Sequence, residues 1–178
     1  MPPITELIRP YEASLAIAMP AALAVLVYAR GLVVRRRLGE RVGILAPAAY
    51  FIGVGLMYAV MHTYVDYLAQ YMFWVHRAQH LVLHHLGPFL VVLAMPAATL
   101  AAGLPAGLRD RLVRPVLASG AVRLTYRILQ HPLVAPVLFV GLIYYWLTPS
   151  IHFDAMLSRD LYQVMNWSMV IDGLLFWW

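Results

Sequence analysis

Met72, His76, His80 and His84 stand four residues apart in a stretch that is otherwise largely apolar. On an α-helix this spacing stacks the side chains on one face, with neighbours roughly 5–6 Å apart at Cβ. From His76 to His84 the run descends about 12 Å at ~1.5 Å per residue. Imidazoles at membrane depth are costly unless something satisfies them. A soft thioether followed by three imidazoles suits a metal, and copper first. A hydrogen-bonded polar seam between helices is the competing reading.

The elements that must position these residues follow from composition. Of 178 residues, 63% are hydrophobic and 12% charged, with a mean hydropathy of +0.75. A soluble domain carries about twice that charge. The expected fold is therefore all-α: a polytopic transmembrane helical bundle forming one domain over residues 1–178. Five apolar segments, near 13–34, 42–61, 72–104, 132–151 and 161–178, each reach the ~20 residues that cross a bilayer. The third is too long for one perpendicular crossing, so Pro88 and Pro96 are expected to kink it. The first is expected to be a retained span, because MPPITELIRPYE lacks the basic start of a signal peptide. The last stops abruptly at Phe176-Trp177-Trp178 without polar flank, which leads us to expect a native chain that continues further.

All 13 basic residues are arginine. Arg35, Arg36, Arg37 and Arg41 lie between segments one and two, and Arg109, Arg111, Arg114, Arg123 and Arg127 between three and four. Glu6, Glu12, Asp66, Asp154 and Asp160 occupy the alternate ends. The positive-inside rule then places the N-terminus outside and the C-terminus inside a bacterial cytoplasmic (inner) membrane. The basic pI thus marks loop orientation, and no nucleic-acid partner is expected. Residues 108–129 mix arginine with leucine and valine, and fit an interfacial helix as well as an ordinary loop. With no cysteine in the chain, thiolate, iron–sulfur and disulfide chemistry are excluded.

This orientation gathers soft donors at the outer end. They are Met57, Met61 and His62, then Met72 to His84, then His152 and Met156, then Met165 and Met169. The metal-ligand candidates are His76, His80, His84, His62, His152 and Met72. Paired methionines are more often packing than ligation, and His85 and His131 read as hydrogen-bonding or interfacial histidines. Asp172, about eleven residues into the last segment, lies near the depth of His84. A carboxylate there costs about 2.5–3.5 kcal/mol, needs a partner, and could orient the His84 ring.

Three blocks resemble the CtaG family of multi-spanning proteins linked to the assembly of heme–copper cytochrome c oxidases. HRAQHLVLHHLGPFLVVLAMP (76–96) is similar to the family's HMxQHLLLMxxAPPLLVLGxP, with His76, Gln79, His80, Pro88 and Pro96 on matching positions. HPLVAPVLFVGLIYYWLTP (131–149) and GLLFWW (173–178) resemble two further blocks. Three family histidines are replaced, by Leu147, Tyr162 and Asn166. His84, His85, His62 and His152 are additions.

The resemblance implies a copper-handling, non-enzymatic assembly factor, with an oxidase subunit or copper chaperone as partner. Copper is the expected metal, and heme is the weaker alternative. The other readings are a heme- or metal-containing membrane redox enzyme, or a small scaffold subunit of a larger complex. Ser14, Ser119, Ser150, Ser158 and Ser168 form no recognisable nucleophile arrangement.

Overall fold

The computed structural model describes residues 13–178, so the N-terminal acids Glu6 and Glu12 lie outside the described residues. Among the described residues there is no strand. The long helices are α1 (Leu15–Arg37), α2 (Leu45–His62), α4 (Phe73–Leu93) and α9 (Arg159–Trp177). Between them lie α3 (Tyr64–Tyr71), α5 (Ala97–Gly103), α6 (Gly120–Leu129), α7 (Val134–Leu147) and α8 (Pro149–Leu157). Residues 106–118 form short helical turns with none buried.

By length and hydropathy α1 and α2 can each cross a membrane. Two bent pairs, α4 with α5 and α6 with α7, would bring that to four. The last helix is 19 residues long, but Gln163, Asn166 and Asp172 dilute its hydropathy. Leu23, Leu26, Leu45, Val137 and Val140 are exposed around the bundle, the apolar perimeter expected of a membrane protein.

The third segment bends by 75°, between Leu93 and Ala97. Proline disfavours the helical conformation of the preceding residue, and Met95, before Pro96, takes φ +44°. Pro88 does something else. Its ring would press on the carbonyl four residues earlier, that of His84. Over Val82–Leu86 the helix widens by one residue per turn, and Gly87 N–H donates to the Val82 carbonyl. Such widened turns occur mostly singly inside α-helices, often at functional sites.

At the arginine-rich end, α1 and α5 touch backbone to backbone. A Cβ on Gly31 would meet the Thr99 carbonyl, and one on Gly103 the Val27 carbonyl. Arg35 Nη1 donates to Thr99 Oγ1 at 2.8 Å, which places the two arginine-rich loops at one end. At the other end, Thr63 and Ser158 cap α3 and α9, accepting from Val65 N and Leu161 N at 3.3 and 3.4 Å. The core at this end packs Met61, Leu83, Trp146, Met165 and Met169 together. Met61 and Met165 are packing residues here, and Met169 also lines a cavity beside α4.

Candidate functional site

Among the described residues, helix α4 supplies half of the buried polar side chains, four of eight. His76, Gln79, His80 and His84 are 2%, 1%, 8% and 1% exposed. The histidines form two overlapping clusters that share His80.

The outer cluster is built on His76. The His80 ring lies 4.3 Å away and the His152 ring, from α8, 5.0 Å away, centroid to centroid. Tyr162 of α9 follows at 6.3 Å. Both ring nitrogens of His76, Nε2 of His80 and Nδ1 of His152 are buried without a hydrogen bond. The Ala69 backbone lies near His76, outside hydrogen-bonding geometry. Four unpaired imidazole nitrogens in one small region are a costly arrangement for a protein that satisfies nothing with them.

Beside this cluster the polar network is complete. Gln79 Nε2 donates to the Val60 carbonyl at 2.7 Å and to Asp66 Oδ1 at 2.8 Å. Tyr162 Oη shares its proton between Asp66 Oδ1 at 2.9 Å and Gln79 Oε1 at 3.1 Å. Gln70 Nε2 reaches Asp66 Oδ2 at 3.2 Å. These bonds pin α3, α4 and α9 around His76, and they line a neighbouring cleft of about 290 Å³ that includes Met61, Met156 and Asn166.

The inner cluster begins where the turn widens. His84 Nε2 lies 2.9 Å from Asp172 Oδ2, the carboxylate–imidazole contact expected from their matching depths. Phe139 of α7 stacks on the ring at 3.9 Å and fixes its plane. Helix α9 comes this close because position 173 is glycine: a Cβ there would strike the His84 carbonyl. The same turn brings the His85 ring to 4.9 Å from His84.

The remaining expected residues fall elsewhere. Met72 does not belong to the helical column. It sits in extended conformation between α3 and α4 and is 39% exposed. His62 has both ring nitrogens engaged, Nε2 by the Ser14 N–H at 3.0 Å and Nδ1 by Tyr58 Oη at 2.8 Å. His131 Nδ1 accepts from Leu133 N at 3.3 Å, an exposed turn contact between α6 and α7.

Among the described residues, no three His, Cys, Asp or Glu side chains close a cage able to hold an ion. His80 and His152 each neighbour His76 in a chain. The donor types fit copper, and the coordination they offer is open.

Buried imidazoles and a partly buried carboxylate thus sit inside an apolar helical bundle with helices long enough to cross a membrane. The chain belongs to the Caa3_CtaG family, cytochrome c oxidase caa3 assembly factor, whose model matches residues 26–178. Neither the curated proteins nor the solved structures give a match. The three positions that the resemblance sets against histidines divide between the His76 cluster and the cavity beside His84. Tyr162 faces His76, Asn166 is buried with Oδ1 unpaired, and Leu147 lines a cavity with His80 and His84.

Proposed function

We propose that this protein serves cytochrome c oxidase assembly by holding copper as cargo, through His76, His80 and His152, and passing it to an oxidase subunit or from a copper chaperone. The role is non-enzymatic. The protein crosses the bacterial cytoplasmic membrane five times, with the N-terminus and the His152 end outside and the arginine-rich loops inside. The observation that carries the reading is the set of unpaired, buried imidazole nitrogens on two elements, α4 and α8. His152 supplies from α8 what the replaced family histidines no longer can. An open set of neutral donors retains Cu(I) less tightly than a thiolate cage, which suits an ion that must leave.

The test is the copper content of detergent-purified, full-length protein. Wild type should carry copper and the His76→Ala/His80→Ala variant should not. Equal copper in both would remove the site, and a Soret band in place of copper would make the protein a heme carrier.

A further inference from the structure

A second cavity of about 230 Å³ lies between α4, α7 and α9, at the level of the widened turn. His80, His84 and His85 line it together with Met169. The widened turn is what places His84 and His85 on the same cavity, although neighbouring residues of a regular helix point about 100° apart. His84 and Met169 are each 1% exposed and His80 is 8% exposed. His84 Nδ1 is buried and makes no hydrogen bond, while Nε2 faces the Asp172 carboxylate. With the ring proton held on Nε2 by that carboxylate, the Nδ1 lone pair is free to coordinate.

We propose that this cavity is a second, deeper Cu(I) site, held by the imidazoles of His80 and His84 and the thioether of Met169, with Asp172 orienting His84. It rests on the copper-handling reading above. His80 belongs to both clusters, so a single ion would move between them by ligand exchange, exchanging His76 and His152 for His84 and Met169. No electron or proton transfer is required, and copper stays Cu(I) throughout.

Monovalent charge matters here. Arg77 lines the same cavity, its Cζ 4.7 Å from the Phe73 ring centroid. Its repulsion scales with the charge of the ion, so it disfavours Cu(II) and Zn(II) about twice as strongly as Cu(I). The Asp172 carboxylate offsets one positive charge. Thioether sulfur adds the softness that selects Cu(I).

The experiment is copper K-edge X-ray absorption on the full-length protein, loaded anaerobically with Cu(I). Wild type should show nitrogen and sulfur neighbours. Met169→Leu, close to Met in volume, should keep its copper and lose the sulfur signal. His152→Ala should keep the sulfur. Asp172→Asn should weaken Cu(I) affinity by about 10–100-fold, the usual effect of losing the partner that orients a ligand. Selenomethionine protein, whose packing is unaltered, should show a copper–selenium contact if Met169→Leu does not fold. Bound copper with nitrogen neighbours only, or sulfur that persists in Met169→Leu, overturns the deeper site and leaves the outer one standing. Wild type that binds no Cu(I) at all overturns the copper reading itself.

Discussion

Replacing Gly173 with alanine probes the contact that sets the inner half of the site. The added Cβ would meet the His84 carbonyl and lie 2.8 Å from Pro88 Cγ. Both obstacles are rigid, one backbone and one a proline ring, so α9 must move away from α4. Inserting a methyl group into a packed contact costs about 1–3 kcal/mol. The same displacement stretches the His84–Asp172 pair, and a hydrogen bond to a charged group contributes about 1.5–3 kcal/mol. Alanine returns roughly 0.5–1 kcal/mol through its better helix propensity. The expected net destabilisation is about 1.5–5.5 kcal/mol, read by reversible unfolding in mixed micelles. Gly141→Ala on α7 is the control, because nothing lies within 4 Å of a Cβ there. It should be neutral, or stabilising by up to ~1 kcal/mol. If Gly173→Ala and Gly141→Ala unfold alike, the close packing of α9 on α4 is wrong.

Other outcomes follow from the same geometry. Gly31→Ala and Gly103→Ala should each destabilise by about 1–3 kcal/mol or more, with no additive effect in the double variant, since both part the same pair of backbones; additive losses would contradict that contact. Tyr162→Phe removes the hydroxyl shared between Asp66 and Gln79, and should cost about 1–3 kcal/mol in the same unfolding assay. The chain has no cysteine, so single cysteines can report sidedness. Arg41→Cys should react with an impermeant maleimide only in inverted vesicles, and Asp160→Cys only in right-side-out ones; the reverse pattern would invert the topology.

The helical segments were legible because their apolar runs are long and their arginines cluster. Caps and breaks were harder. Pro88 and Pro96 both read as kinks, yet Pro96 bends the chain at Met95 while Pro88 is absorbed by a widened turn. That turn begins just after His80, the residue shared by the His76 group and the His84 group. Spacing by four assumes one uninterrupted helix, and an added residue at Val82–Leu86 rotates everything after it. On a regular helix His85 would point about 100° away from His84, whereas here the two rings lie 4.9 Å apart.

The contact between His84 and Asp172 could be found from depth alone, because a buried carboxylate must find a partner. His62 and His152 looked equivalent as outer-end histidines. Only tertiary contacts separate them, since Tyr58 and the Ser14 amide occupy one ring and leave the other beside His76. Met72 was one residue short of the helix that would have aligned it with His76.

The difference between those two histidines gives the most direct test of the central claim. In purified full-length protein carrying Met169→Leu, where the outer ligands act without the deeper thioether, Cu(I) affinity measured by competition with a chromogenic chelator should fall by about tenfold or more on adding His152→Ala, equivalent to ~1.4 kcal/mol. On adding His62→Ala instead it should stay within about twofold, a shift of less than ~0.5 kcal/mol. Equal losses in the two variants, or a loss confined to His62→Ala, would contradict a copper site built on His76, His80 and His152.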